Sequence, residues 1–150
     1  MQQLLGEYYC KIDEKGRVKL PSALILQLGS ADNNSLVINR GYEQHLNLYP
    51  NNFWEQRTAE FSRLKDYRES DRKFLRYFYR GAQRVEIDKS DRILINKSLL
   101  NYAKIDREIV LLAINQLIEV WSVENYNQML ANEPEDFSNY AVQILAPNEL

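Results

Sequence analysis

The chain has 150 residues, with 19 Lys and Arg, 21 Asp and Glu, one His and a formal net charge of −2. This length suits one domain or two small fused modules. The negative charge argues against a uniformly basic nucleic-acid-binding domain but permits a local basic face. A lone cysteine, Cys10, cannot form an internal disulfide and favours a reducing cytoplasm. We find no signal peptide and no apolar run of membrane-spanning length, so we expect no membrane partner.

The first thirty residues predict two strands, a turn and a short helix. Residues 7–13 alternate in polarity, which is the period of a half-buried strand. Gly16 indicates a tight turn, because glycine tolerates a positive φ. After the turn Val18 and Leu20 point inward, and a helix over 22–28 follows Pro21.

Two more strands and a helical insert complete the first half. The strands are expected over 36–39 and 45–49. A helix over 53–64, with Asn52 as its N-cap, and a second helix over 70–79 come next. Because residues 51–80 contain no glycine or proline, they predict a helical insert rather than a flexible linker.

The second half predicts the same elements in the same order. Val85 and Ile87 are expected to face inward before a turn, and Ile93 and Ile95 after it. A helix over 97–103, strands over 108–113 and 117–121, and a last helix over 124–130 are expected to follow. Residues 131–150 have scattered acids and little periodicity. They predict a mobile tail, or one ordered only against a neighbouring molecule.

One local motif recurs along the chain. Asp13-x-x-x-Arg17 returns 75 residues later as Asp88-x-x-x-Arg92, and two copies of one module are the simplest explanation. A copy of about fifty residues is marginal by itself. Two copies that share strands would close one barrel without exposed edges. The fold class expected is α+β, mainly β, with two intertwined repeats and peripheral helices.

The first copy of the motif carries most of the local positive charge. The period of two places Lys11, Arg17 and Lys19 on the outward face, with Lys15 in the turn. Arg17 could contact a guanine edge while the lysines contact phosphates, and Asp13 could hold its guanidinium. Charge alone favours a solvated polar hairpin instead. The recurrence at Asp88 and Arg92 shifts the balance towards a functional surface.

Catalytic and metal sites have little support. One histidine, His45, cannot build a multi-histidine metal site, and an ordinary strand residue is the simpler interpretation. Cys10 alternates with core positions and resembles a buried apolar group. Paired carboxylates at Asp13 and Asp88 could be imagined as an acid and base, but an arginine four residues after each favours a salt bridge. No catalytic residue, metal or cofactor is expected.

Together these motifs resemble the MraZ family of bacterial transcriptional regulators, which is related to the AbrB/MazE swapped-hairpin DNA-binding modules. The resemblance spans about residues 6–130. Its motifs are Gly6-Glu7-Tyr8, Asp13-x-Lys15-Gly16-Arg17-x-x-x-Pro21, Tyr49-Pro50 followed by Trp54, Gly81-Ala82, Asp88-Lys89-x-x-Arg92, Leu99-Leu100-Asn101-Tyr102-Ala103-Lys104 and Ile118-Glu119-Val120-Trp121.

The resemblance implies a double-split, swapped-hairpin β-barrel formed by two tandem SpoVT/AbrB-like repeats, at 6–53 and 81–124. A helical insert at 54–80 would separate them, and a final helix and tail would occupy 125–150. It also implies a ring-shaped homo-oligomer that binds short G-rich direct repeats upstream of the division and cell-wall gene cluster. The DNA-contacting residues nominated are Lys11, Asp13, Lys15, Gly16, Arg17, Lys19, Asp88, Lys89 and Arg92.

The sequence departs from the family pattern at three places. Ile25 replaces the usual arginine after the first proline, Asp91 replaces the usual glycine of the second loop, and Ser98 replaces a helix-starting proline. Aspartate can still adopt a left-handed turn, but its charge is unfavourable near phosphate. The second loop is therefore expected to contact DNA less or mainly to maintain the barrel.

The function expected is that of a cytoplasmic, nucleoid-associated, sequence-specific repressor of transcription. It would act on its own promoter, as a homo-oligomer bound to double-stranded DNA, with no catalysis, cofactor or small-molecule substrate. The alternative is an AbrB/MazE-like protein-interaction module of the antitoxin type. Salt-dependent binding to promoter DNA would separate the two.

Overall fold

The computed structural model describes residues 3–29 and 34–147, and shows a mainly β, α+β fold. Its strands are β1 Gly6–Lys11, β2 Arg17–Lys19, β3 Ser35–Arg40, β4 Leu46–Pro50, β5 Gln83–Glu86, β6 Arg92–Leu94, β7 Glu108–Ile114 and β8 Leu117–Ser122. Its helices are α1 Ser22–Leu28, α2 Asn51–Ala59, α3 Glu69–Tyr79, α4 Lys97–Tyr102, α5 Val123–Ala131 and α6 Phe137–Leu145, with a 3₁₀ turn at Glu60–Arg63.

The two halves of the chain share one antiparallel sheet. Its strand order is β1-β7-β8-β4-β3-β5, which reads the same from either end when each strand is exchanged for its counterpart in the other half. The registers agree as well: Cys10 lies opposite Ile109 at one edge, and Val85 lies opposite Leu36 at the other. Each half thus completes its sheet with strands of the other half, as the sequence predicted. A closed double-split barrel remains a prediction.

The short strands β2 and β6 form a separate two-stranded ribbon across the same pseudo-twofold axis. Val18 pairs directly with its counterpart Ile93. Both side chains are buried in the common core with Leu20 and Ile95. The core is therefore assembled from both halves, and burial of these aliphatic side chains is what holds the ribbon against the sheet.

The helical insert packs mainly through aromatic rings. Trp54 of α2 contacts Tyr49 at the end of β4 and Phe78 of α3, with ring centroids 5.1 and 5.7 Å apart. Phe61 of the 3₁₀ turn packs edge-on against Phe78 at 4.7 Å. Such edge-to-face and offset contacts are favoured by the ring quadrupoles. The insert is thus an ordered part of the fold, as its lack of glycine and proline predicted.

Two predictions about helix ends were wrong. The helix after β4 begins at Asn51, directly behind Pro50, so Asn52 lies inside the helix and is not the N-cap. Its side-chain oxygen accepts only from the adjacent Phe53 N–H, at 2.8 Å. The α-helix also ends at Ala59, where the 3₁₀ turn takes over before residue 64.

The stretch after residue 130 contains a helix that its weak periodicity did not predict. Residues 137–145 form helix α6, and Asp136 is its N-cap, with Oδ1 accepting from Asn139 N at 3.1 Å. Asp136 stands directly before an apolar run, which is a pattern typical of a helix N-terminus. The sequence-based prediction did not include this helix. Whether α6 packs against a neighbouring molecule stays a prediction. Within residues 3–29 and 34–147, no helix is long and apolar enough to cross a membrane.

Strand sharing makes a direct prediction about the separated halves. A chain of residues 1–80 lacks β7, the strand that pairs with β1 among the described strands, and should not fold as a monomer. We expect a poorly dispersed amide NMR spectrum at low concentration, and any folded state to have dimeric mass because only a second copy can supply the missing strands. Mixing with residues 81–150 should restore one dispersed spectrum. A folded, monomeric 1–80 fragment would contradict strand sharing.

Candidate nucleic-acid interface

The β2–β6 ribbon places four side chains on its outward face. Arg17 lies opposite Leu94, and Lys19 lies opposite Arg92, while Val18 and Ile93 point into the core between them. Directly opposed residues lie on the same side of a ladder. Arg17 and Arg92 are diagonal neighbours across the two strands, so they share this face with their backbone positions roughly 7–8 Å apart. The structure brings the two predicted arginines to one surface.

The loop before β2 is closed by one carboxylate. Asp13 Oδ1 accepts hydrogen bonds from the backbone N–H groups of Lys15, at 2.9 Å, and Arg17, at 2.8 Å. Asp13 Oδ2 accepts from Arg17 Nε at 2.8 Å. The aspartate therefore fixes both the turn and the guanidinium, which is the role the sequence analysis gave it.

This arrangement orients the outer end of the arginine. Because Asp13 occupies Nε, the two terminal Nη groups of Arg17 remain for another acceptor, and no described residue accepts from them. The side chain is 35% exposed. A planar guanidinium held in this way can donate two parallel hydrogen bonds to a flat acceptor edge.

The loop before β6 repeats the same geometry. Asp88 Oδ1 accepts from the N–H groups of Ser90 and Arg92, at 2.8 and 2.9 Å. Its Oδ2 accepts from Arg92 Nε at 3.2 Å. Asp91 has φ +62° at the position that corresponds to Gly16, which has φ +88°. The prediction that aspartate could adopt the left-handed turn is confirmed.

Each loop is also bound to the other half of the chain. Gly16 O accepts from Ile95 N at 2.9 Å, and Asp91 O accepts from Leu20 N at 2.8 Å. A Cβ atom on Gly16 would lie 2.6 Å from Ile95 O, so only glycine fits this approach. The two loops are therefore rigidly placed relative to each other and not only relative to their own strands.

Charge and hydrogen bonding keep both loop carboxyls ionised. Hydrogen bonding from the Arg17 backbone N–H, with further bonds from the Arg17 side chain and the Lys15 N–H, holds the pKa of Asp13 below its usual value. The Arg92 backbone N–H, with Ser90 N–H and the Arg92 charge, does the same to the pKa of Asp88. Neither carboxyl is suited to acid or base chemistry at neutral pH.

The other predicted site residues divide into two groups. Lys19 is exposed on the ribbon, and Lys15 and Lys89 are exposed in the two loops beside it. Lys11 lies elsewhere, because it ends β1 in the large sheet and pairs there with Glu108. Its contribution to the positive charge near the first loop is reduced, because Glu108 lies directly opposite it.

Further polar residues, which no sequence pattern indicated, lie next to the first loop. Lys97, at the start of α4, and Arg107, before β7, line one cleft with Lys15, Asp13 and Asp106. Arg107 is brought there by its backbone oxygen, which accepts from Ile12 N at 2.8 Å. This pairing joins residues far apart in sequence, so no local pattern could have indicated it.

The rejected catalytic candidates have structural roles. His45 is buried, stacks on Trp121 at 4.5 Å and contacts Asn47 Oδ1 and Glu119. Burial would raise the pKa of Glu119, but hydrogen bonds from His45 and Trp121 outweigh it and lower that pKa. His45 precedes β4, which begins at Leu46, so its assignment to a strand was wrong by one residue. The described residues contain no acid, His and Cys cluster suited to a metal ion.

The comparisons with known proteins give the family. The family model described as "MraZ protein, putative antitoxin-like" matches the chain twice, over residues 3–77 and 78–145. The chain belongs to the MraZ family. The two matches also agree with the two intertwined halves of the MraZ fold described above.

Several MraZ relatives are similar over almost the whole chain. The transcriptional regulator MraZ of Christiangramia forsetii is 35% identical, with 99% of this chain and 97% of the relative covered. The transcriptional regulators MraZ of Cytophaga hutchinsonii and Flavobacterium psychrophilum are 33% and 31% identical, over 96% and 97% of this chain and 95% and 93% of the relatives. These names describe regulators of transcription and not enzymes.

The lowered pKa of Asp13 predicts a pH-dependent contribution to stability. Because the folded-state pKa lies below the usual value of 3.8, the carboxylate stabilises the fold at pH values above that number and loses this effect as pH falls through the folded-state pKa. The stability difference between the protein and Asp13→Asn, from urea unfolding, should be constant near neutrality and vanish in acid. Asp66→Asn, also an exposed acid, controls for charge. A difference that persists in acid would contradict the assignment.

Proposed function

We propose that the protein is a sequence-specific DNA-binding regulator of transcription that presents the β2–β6 ribbon to the major groove. The observation that carries the proposal is the pair of aspartate-anchored arginines, Arg17 and Arg92, on one outward face. A two-stranded ribbon fits the width of the major groove. The names of the relatives, which are transcriptional regulators, support this function.

The chemistry of the ribbon suits guanine. The free Nη groups of Arg17 match the O6 and N7 acceptors of a guanine edge, which is the commonest specific contact of arginine in DNA complexes. Lys15, Lys19 and Lys89 contact phosphates and position the ribbon without specifying sequence. We propose short G-rich direct repeats in the protein's own promoter as the sites, with repression of the division and cell-wall gene cluster as the outcome.

The distribution of charge supports DNA binding in spite of the net charge of −2. The last basic residue is Arg107, and residues 108–150 contain seven acids and no Lys, Arg or His. Residues 1–107 therefore contain all 19 Lys and Arg against 14 acids. The loops before β2 and β6 both belong to this basic part of the chain. The attraction of phosphate depends on local charge more than on the net charge of the protein.

We also propose that the protein acts as a homo-oligomer, in a ring, with α6 as one subunit contact. Phe137, Tyr140 and Ile144 share one face of α6 and are 44–72% exposed. An aromatic groove of about 170 Å³ in the same chain is lined by Arg40, Tyr42, Phe74, Tyr77 and Tyr102.

A second copy of this chain is the occupant that best fits the groove. The segment before α6 carries Glu133, Glu135 and Asp136. Helix α3 beside the groove carries three basic residues, Arg72, Lys73 and Arg76, after two acids in its first turn, Glu69 and Asp71. The apolar faces and the charges of the two elements are thus complementary. Contacts of this head-to-tail kind generate rings when the rotation closes. Several modest basic loops on one ring would bind DNA together by effective concentration.

The remaining assignments follow from this function. We propose repeats at 6–53 and 81–124, a helical insert at 54–80 and a C-terminal part at 125–150, within a closed double-split barrel. We propose a cytoplasmic, nucleoid-associated protein without catalysis or cofactor. A protein-interaction module of the antitoxin type is the second candidate, because the family description includes the words "antitoxin-like" and the apolar face of α6 is exposed.

Arg17→Ala tests base contact directly. If Arg17 donates to a guanine, the substitution should cost about 1–3 kcal/mol per engaged loop and relax sequence preference. Arg17→Lys should lose most of that preference while keeping the charge, because lysine lacks the planar fork. The measurement is a gel-shift titration on promoter DNA and on a scrambled duplex at two salt concentrations.

Arg63→Ala is the matched control for Arg17→Ala, since Arg63 is an exposed arginine of the 3₁₀ turn, outside the ribbon. It should leave promoter affinity within about twofold. Promoter affinity that is unchanged in Arg17→Ala would refute the proposed interface. Binding of a protein partner but of no duplex would favour the interaction module instead.

Ile144→Glu tests the subunit contact. A charge on the apolar face of α6 should lower the mass measured by light scattering, since burying an unpaired carboxylate is unfavourable. Gln143→Glu adds the same charge one position away, on the polar side of the helix, and should leave the mass unchanged. Equal masses for Ile144→Glu and the unsubstituted protein would refute α6 as a subunit contact.

A further inference from the structure

The charged face of the ribbon contains one apolar side chain. Leu94 is 56% exposed although its neighbours Ile93 and Ile95 are buried. It lies directly opposite Arg17. An exposed leucine needs no explanation where it stands alone among neutral surface residues. Here it lies at one end of the outward face proposed to meet DNA, beside Arg17, where a polar or basic residue would be expected.

The side chain of Leu94 also lies close to the first loop. Its Cδ1 atom lies 3.7 Å from the position of a Cβ atom on Gly16, so it rests against the tip of the first loop. Gly16 is fixed in turn by the hydrogen bond from Ile95 N to its carbonyl oxygen. The leucine therefore presents its methyl groups on the same face as Arg17, at a spacing of roughly 5 Å between Cβ atoms of opposed residues.

We propose that Leu94 is a specificity-determining residue that contacts the C5-methyl group of a thymine next to the guanine bound by Arg17. This inference rests on the proposed DNA-binding function. In the major groove thymine alone among the four bases presents a methyl group. A leucine can bury that methyl group, whereas the polar edge of any other base would be desolvated against it without a hydrogen bond.

The position also breaks the symmetry of the ribbon. Lys19 is the counterpart of Leu94 in the first repeat, so the backbone is pseudo-symmetric but its outward face is not. One end carries Arg17 with Leu94, and the other carries Arg92 with Lys19. The first end contacts a guanine and a methyl group, and the second contacts a guanine and a phosphate. The ribbon therefore binds a duplex in one orientation, which is what a direct repeat requires and an inverted repeat does not.

Replacing thymine by uracil tests the methyl contact, because uracil differs only by the absence of that group. Duplexes are first selected from a random library with the full-length protein. Thymines in the selected site are then replaced one at a time by deoxyuridine. At one position the substitution should weaken binding about fourfold, which corresponds to one buried methyl group.

Two variants link the effect to the residue. Leu94→Ala should bind the thymine and uracil duplexes equally. Leu94→Lys makes both ends of the ribbon alike, and should bind both duplexes equally with a salt dependence steeper by about one unit. Leu5→Ala, at an exposed leucine before β1 and outside both the ribbon and α6, should retain the fourfold difference of the unsubstituted protein.

The outcomes separate this inference from the function on which it rests. If Arg17→Ala weakens binding but no thymine position responds to uracil, or the response survives in Leu94→Ala, the methyl contact is wrong and DNA binding stands. If no duplex is selected at all, both fail. A fourfold response that Leu94→Ala and Leu94→Lys abolish, and that Leu5→Ala keeps, establishes the contact.

Discussion

The antiparallel pairing of β2 with β6 is the constraint on which the rest of the structure depends. Each strand is only three residues long and is paired over its whole length with a strand of the other half. Among the described residues, β2 is joined to its own half by a single isolated bridge, from Val18 to Ile12. Val18 and Ile93 stabilise the pair by burial in the shared core. Because these residues are counterparts in the repeats, the pairing places the two Asp-x-x-x-Arg loops at opposite ends of one ribbon, with both arginines on its outward face. The two copies of the Asp-x-x-x-Arg motif therefore contribute to one surface.

Rigidity is the second property of this surface. Each arginine is bonded through Nε to the aspartate four residues earlier. One carbonyl oxygen of each loop, that of Gly16 or Asp91, accepts a hydrogen bond from a backbone N–H of the opposite half. Side chains that are fixed before binding lose less conformational entropy in a complex. The aspartates do reduce the net charge of the loops, and we interpret this as the cost of orienting the guanidinium groups for base contact rather than for general phosphate attraction.

The sequence predicted most of the fold because the repeat constrains it. Alternation over 7–13 and the glycine turn at Gly16 predicted β1, the first loop and β2, and the 75-residue offset predicted their counterparts in the second half. Helix α6 was not predicted because its run of periodic apolar residues is short and its N-cap, Asp136, follows a proline-containing linker. Asn52 was assigned as a cap because Pro50 was read as part of a loop, although the helix begins immediately behind it.

The candidate site was predictable only where it is local. Asp13 and Arg17 are four residues apart, so their contact follows from the turn. Lys11 is adjacent in sequence but belongs to β1, whose partner brings Glu108 opposite it. Arg107 and Leu94 reach the site by pairing between halves, which alternation and charge do not reveal.

Photo-cross-linking tests the central claim most directly, namely that the outward face of the ribbon meets the duplex. A photoreactive amino acid is placed at Lys19 in one protein and at Tyr42, an exposed residue of the aromatic groove, in another. Both are irradiated with labelled promoter DNA. The account predicts efficient cross-linking from position 19, to bases within the footprint, and little from position 42. Cross-links from position 42 but not from position 19 would contradict it.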